Sequence, residues 1–319
     1  MKKILLCSIV IAISTSLHAQ IKWDNIDSNY KPLPSSMHVY KSTSVLDRRP
    51  NIMYYAIVNV KDKSLRFTTD TSANRRLTPA QFYQKNKKPL LVVNCSFFSF
   101  ATNQNLNAVV RNGKILSYNA QTFARKGKDT LTYFHSFLGS LGITKKRQMD
   151  VAWTYSDSSK RLLYASQTPV HFLKDSVERV NLNYIKSQTK PSAHFSKWKM
   201  KTVIGGGPVL IQNGEIVISN NEERKFAGKA VDNLEPRTAI GYTNDNNLII
   251  LVCEGRSKQA AGLSLTQLAT ILKNIGCIEA LNLDGGGSSC MLVNGKEANT
   301  PSGKGIQRPV PSVFLIEKK

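Results

Sequence analysis

The segment "NLDGGGSS", Asn282–Ser289, places a carboxylate at the end of an apolar run, then three glycines, then two hydroxyls. Asp284 can serve as a base or a nucleophile. Gly285 and Gly286 let backbone approach a ligand closely, and successive N–H groups in such a loop can form an anion-binding nest. Ser288 adds a hydroxyl donor. A plain turn explains an Asp-Gly pair equally well, and no Gly-Lys-Ser/Thr follows to make a phosphate loop.

Further residues sit at the ends of apolar runs. Asn94 closes "PLLVVN", and "CSFF" follows it. Cys95 with His135 as base would make a thiol nucleophile. Nothing in the sequence supplies the electropositive, partly exposed setting that such a cysteine needs. Glu254 and Arg256 follow "NLIILVC", Arg237 precedes "TAIGY", and Arg308 precedes the last apolar run. Arginines near strand ends can bind a phosphate through forked hydrogen bonds, or can be ordinary surface charge. Glu254 and Asp284 could share a crevice, and two carboxylates in one cleft suit glycoside chemistry. Asp284, Glu254 and Asn94 are also oxygen ligands for a hard cation, so a divalent metal is compatible with the pattern and not required by it.

The elements that must position these residues are legible in part. "TPAQFYQKNKK" reads as a helix capped by Thr78 with Pro79 at its first position. "SLTQLATILKNIG" reads as a second helix, with a Ser264/Gln267 capping box, an apolar face on Leu265, Leu268, Ile271, Leu272 and Ile275, and Gly276 as its stop. Each lies between apolar runs: 53–60 and 89–94 flank the first, 247–253 and 278–284 the second. Strand, helix, strand implies a right-handed parallel crossover. Three Asn-Gly pairs, in "VVRNGKIL", "VLIQNGEIVI" and "CMLVNGKEA", mark tight hairpins. The expected fold is α/β in the broad sense (mixed α+β): one domain, with a mixed β-sheet, two βαβ-like crossovers and several hairpins. It should occupy 53–319, after an irregular leader at 20–52 that contains Pro32, Pro34 and Pro50.

The first residues, "MKKILLCSIVIAISTSLHAQ", have the lysines, apolar core and small-residue exit of a secretory signal peptide, with cleavage expected after Ala19. No other run is long and apolar enough to span a membrane. The mature chain is therefore expected to be exported, to a periplasm or beyond. Of 319 residues, 44 are Lys or Arg and 21 are Asp or Glu, which favours anionic partners. The basic residues are scattered and form no recognisable nucleic-acid module, so no specific nucleic acid is expected. Cys95, Cys253, Cys277 and Cys290 remain after cleavage; export permits disulfides, and apolar surroundings suit free thiols.

Taken together, "NCSFF", "IGGGPVLIQNGE", "PRTAIGYTNDNNLIILVCEGR", "GLSLTQLATILKNIGCIEALNLDGGGSS" and "QRPVPS" resemble the phosphodiester glycosidase family in content and order. The resemblance runs from about residue 53 to 316 and is strongest from Thr202 onward. It implies hydrolysis of a sugar-1-phosphodiester at the anomeric carbon, with a phosphorylated glycan as partner. Carried over, it marks Asn94, Arg237, Glu254, Asp284, Gly285, Gly286, Ser288 and Arg308. The family usually has Asn-Gly-Gly-Phe where this chain has Asn94, Cys95, Ser96 and Phe97, so a narrower pocket or a different sugar preference is expected. The alternative is a non-catalytic binder of an anionic glycan or wall polymer.

Overall fold

The computed structural model describes residues 21–124, 132–170, 180–188 and 194–319. The expected signal peptide lies outside them. Three sheets carry the architecture. The largest has eight strands, in the order Asp24–Asn25, Met37–Leu46, Arg49–Asn59, Asn247–Cys253, Arg237–Thr243, Cys277–Asn282, Val209–Gln212 and Glu215–Ile216. A five-stranded sheet centres on Leu91–Asn94, which lies between Met291–Val293 and Ser312–Lys318. A seven-stranded sheet includes Gly139–Ile143, Met149–Asp157 and Thr202–Gly205. The fold is mostly β, with few helices, and belongs to the α+β class.

Both crossovers are split by an inserted strand. Asn247–Cys253 and Cys277–Asn282 run in the same direction, but Arg237–Thr243 lies between them and is antiparallel to both. In the five-stranded sheet, Ser312–Lys318 likewise separates Leu65–Thr71 from Leu91–Asn94. Every pairing among the described residues is antiparallel, which corrects the expected mixed sheet. The expected partner of Leu91–Asn94, the run at 53–60, belongs to the eight-stranded sheet instead. The strand before the helix that shares a sheet with Leu91–Asn94 is Leu65–Thr71, one strand removed, in a stretch whose polar residues hide its alternation.

The two helices form as their caps require. Thr78 and Gln81 close one capping box, Ser264 and Gln267 the other, and Gly276 ends the longer helix at φ 103°. Leu265, Leu268, Ala269, Ile271 and Leu272 bury against Ile249, Leu251, Ala239 and Ala280 on one face of the eight-stranded sheet. Leu248, Ile250, Val252, Ile240 and Leu281 face a second core on the other side. Burial on both faces explains why 247–253 reads as a continuous apolar run rather than an alternating one.

The second half of the leader expected to be irregular is strand. Met37–Leu46 pairs with Arg49–Asn59 from Met37↔Val58 to Leu46↔Arg49. Asp47 and Arg48 make the two-residue turn at φ 48° and 62°. That is hairpin geometry without the glycine that usually announces it. The three Asn-Gly hairpins form as expected, each with both turn residues at positive φ.

The first triple glycine serves close packing. A Cβ on Gly206 would lie 2.3 Å from the Asn282 carbonyl oxygen, where two sheets meet. Gly206→Ala is expected to destabilise the protein by about 1–3 kcal/mol, by overpacking against backbone that cannot move aside. Chemical denaturation checks this; an unchanged midpoint would show that the junction is loose.

Candidate active site

Asp284 follows the strand Cys277–Asn282, at the end of the sheet where Asn247–Cys253 also terminates. Three backbone hydrogen bonds fix its loop. Leu283 donates to the Thr238 carbonyl at 2.8 Å, Asp284 to that of Cys95 at 3.0 Å, and Gly286 to that of Pro236 at 2.7 Å. Asn94 completes the frame. Its amide nitrogen donates to the Asp284 carbonyl at 2.6 Å, and its oxygen accepts from Thr238 Oγ1 at 2.9 Å and the Cys290 N–H at 3.1 Å. Fully buried and committed on both ends, Asn94 positions the loop rather than binding substrate.

The Asp284 carboxylate itself is less constrained. Ser288 and the Gly285 N–H hydrogen-bond it, while Oδ2 has no hydrogen-bond partner. Burial pushes its pKa up to about 6, against the opposing pull of Ser288, Lys225 and Arg308. Arg308 Nη1 donates to Ser288 Oγ at 3.4 Å, and its guanidinium also lies over the Phe100 ring. Arg308, Ser288 and Asp284 thus form one chain of contacts.

Lys225 is the residue that the sequence did not announce. Its ammonium sits 3.2 Å from the centre of the Phe97 ring. Burial pushes its pKa down to about 8, although Asp284 and Glu223 favour its charge. The loop that presents it is closed by Asn220, whose side chain donates to the Phe226 carbonyl and accepts the Phe226 N–H, both at 2.9 Å. Glu223 lies behind it, fully buried. It accepts from the N–H groups of Gly139 and Val209, from Ser219 Oγ and from Trp153 Nε1. Burial raises Glu223 to about 7 despite these donors.

Several expected site residues have other work. Glu254 accepts the Thr300 N–H at 2.8 Å and hydrogen-bonds the Tyr54 hydroxyl, so it does not pair with Asp284. Arg237 is 5% exposed, and its guanidinium donates to the carbonyls of Leu263 and Asn233. That makes it a buried tie between loops rather than a phosphate clamp. Arg256 pairs with Glu235 at 2.6 Å and reaches Gly286 from the exposed side. Cys95 is buried, burial raises its pKa, and its thiol donates to Ser312 Oγ at 3.2 Å. His135 is buried on the strand Tyr133–His135, with Nδ1 3.1 Å from Thr122 Oγ1. Neither a thiolate nor a Cys-His pair is assembled.

The glycine nest also resolves differently. The Gly286 N–H is taken by Pro236, and the Ser288 and Ser289 N–H groups close the short turn Gly286–Ser288. Gly287 makes room for Arg308, whose Nη2 would lie 2.2 Å from an added Cβ. Cys95 and Ser96, which stand where the family usually has glycines, are committed to other partners; Cys95 Sγ donates to Ser312 Oγ and Ser96 Oγ donates to the Gly205 carbonyl at 3.2 Å. All four cysteines among the described residues are free and buried. No group of three or more His, Cys, Asp or Glu among them is placed to hold a metal ion.

The catalytic domain of the zebrafish N-acetylglucosamine-1-phosphodiester alpha-N-acetylglucosaminidase superposes with a TM-score of 0.60 at 20% identity, over 91% of this chain and 86% of that one. A hypothetical protein from Synechocystis superposes with a TM-score of 0.62 at 15% identity, over 94% and 64%. At these identities the likeness is one of fold. In sequence, the mouse N-acetylglucosamine-1-phosphodiester alpha-N-acetylglucosaminidase is 33% identical over 108 residues, 31% of this chain and 21% of that enzyme's length. A prophage-derived uncharacterized protein of Bacillus subtilis is 41% identical over 81 residues, 25% of this chain and 12% of its own length. The chain thus spans about a fifth or less of these relatives. The family model for phosphodiester glycosidases matches residues 87–317, which takes in Asn94, Lys225, Asp284 and Arg308. The chain belongs to the phosphodiester glycosidase family.

Proposed function

We propose that this protein is an exported hydrolase, periplasmic or secreted, that cleaves a sugar-1-phosphodiester at the anomeric carbon and frees the sugar from a phosphorylated glycan or polymer. One observation carries the reading. The Asp284 carboxylate keeps Oδ2 buried and without a hydrogen-bond partner while Lys225 and Arg308 stand beside it. The mammalian relatives are named for N-acetylglucosamine-1-phosphodiesters, so such a compound is the first substrate to test.

The chemistry follows from the charges. A phosphodiester is an anion, and Arg308 and Lys225 are the cations that would receive it. The leaving group is a phosphate monoester, which departs without a strong general acid. That suits a site in which Glu254 is held elsewhere. The bond between the anomeric carbon and the bridging oxygen breaks, and its electron pair leaves with the phosphate. The free Oδ2 either takes a proton from the water that attacks the anomeric carbon or attacks that carbon itself, before water completes the reaction. Both routes need Asp284 ionised and Lys225 protonated, and neither routes a step through a metal ion.

Asp284→Asn is expected to lower the release of free sugar on the order of 10³-fold. Burial raises the Asp284 pKa, so its ionised form is less favourable in the fold than in the unfolded chain, and the amide removes that cost. The variant should therefore melt no lower than the wild type at neutral pH. Wild-type turnover by it would overturn the assignment.

The pH–rate profile is expected to be bell-shaped. Activity falls below about 6 as Asp284 gains a proton, and above about 8 as Lys225 loses one. Removing divalent cations with a chelator should leave it unchanged, and a flat profile would contradict the roles of both groups. Arg308→Lys keeps the charge but loses the fork, and should cost about tenfold to a hundredfold in kcat/KM. An unchanged value would show that the guanidinium geometry is idle.

A further inference from the structure

A pocket lies on the hairpin formed by Met37–Leu46 and Arg49–Asn59, with a volume of about 540 Å³. The register explains its composition. His38 stands opposite Ile57, Tyr40 opposite Tyr55, and Asn59 opposite Asn247. These side chains project from the face on which the helix Leu265–Ile275 also packs, with Tyr55 in that core and Tyr40 and Ile57 against it, while Met37, Val39, Ala56 and Val58 project into the other core. Helix Leu265–Ile275 does not line this pocket.

The floor is apolar and rigid. Ile57 and Tyr40 line it. Tyr40 stacks on Tyr55 with ring centres 4.8 Å apart and planes 16° from parallel, and Trp23 meets Tyr55 edge-on at 4.7 Å. The rim is polar and held in place. His38 Nδ1 lies 2.7 Å from Asp27 Oδ2, Asn59 donates to Asn247 Oδ1 at 3.2 Å, and Asp62 accepts from Ser36 and Ser64. Among the described residues lining the pocket there is no lysine or arginine, although the chain has 44 of them.

A ligand matched to this surface is uncharged, with an apolar ring face to lie on aromatic and aliphatic carbon and a rim of hydroxyls to meet amide, carboxylate and imidazole groups. We propose that this pocket binds neutral sugar residues of a glycan, as a site separate from Asp284. Asn247 begins the strand that Cys253 ends on the Asp284 side, so the two sites are about 20 Å apart along that strand at roughly 3.4 Å per residue. The proposal rests on the reading above, that the substrate is a phosphorylated glycan. It adds that the polymer is also held through its uncharged part.

The test uses the mature chain carrying Asp284→Asn, titrated with neutral β-1,4-N-acetylglucosamine, β-1,4-glucose and α-1,4-glucose tetrasaccharides. Binding is followed by calorimetry and by the His38 imidazole resonances. Saturable binding of at least one tetrasaccharide is expected, with movement of the His38 signals. Tyr40→Leu or Asn59→Ala should weaken it about tenfold or more, roughly 1.4 kcal/mol. In the otherwise wild-type chain the same two variants should cleave a small sugar-1-phosphodiester at the wild-type rate. The proposal is overturned if none of the three sugars binds, or if both folded variants bind as tightly as their parent. Loss of cleavage by the wild type would overturn the hydrolase reading and leave the binding result standing.

Discussion

The Asn94 side chain is the contact on which the site depends. It ends the central strand of one sheet, accepts a hydrogen bond from Thr238 in another, and holds the Asp284 carbonyl and the Cys290 N–H on either side of the glycine turn. A buried amide left with any of these bonds unmade would cost about 1–3 kcal/mol. The geometry is therefore self-enforcing: the sheets are held in register by the same group that fixes the Asp284 loop. Glu223 plays a similar part on the opposite side. It gathers donors from Gly139, Val209, Ser219 and Trp153 beneath the loop that carries Lys225.

Between these two anchors lies a cluster of charges that the fold does not neutralise internally. Asp284 is held above its ordinary pKa by burial, and Lys225 below its own. Both shifts show that desolvation outweighs the attraction between them. Each group would be better solvated in the unfolded chain, so the cluster reduces stability, as functional sites commonly do. An anionic ligand beside Lys225 and Arg308 would restore part of what burial removes. The aromatic faces of Phe97 and Phe100, which carry Lys225 and Arg308, fix these cations without using up their charge.

Much of the scaffold was legible because it follows local rules. Both capping boxes, the Gly276 stop and the three Asn-Gly turns were visible as short patterns and formed as expected. The strand Met37–Leu46 was hidden by prolines and by a turn without glycine. The all-antiparallel pairing was hidden because one inserted strand, 312–318, comes from distant sequence, and the other, 237–243, forms a hairpin with 247–253 just before the crossover it splits. Asp284, Ser288 and Arg308 could be found by type and position. Lys225 could not, since a lysine in the polar stretch "NNEERKFAGK" carries no signal until the Asn220 bracket and Phe97 place it. Arg237 and Glu254 sit at the correct strand ends but are consumed by loop carbonyls, an N–H group and Tyr54. Strand-end position alone cannot separate a ligand group from a structural tie.

The central claim is that the reaction occurs at the anomeric carbon, beside Asp284, and not at phosphorus. Hydrolysis of a sugar-1-phosphodiester in water enriched in ¹⁸O tests it most directly, with mass spectrometry of both products. Attack at the anomeric carbon places the heavy oxygen on the sugar's C1 hydroxyl and leaves the phosphate monoester unlabelled. Label in the phosphate instead would show attack at phosphorus and would contradict the role assigned here to Asp284.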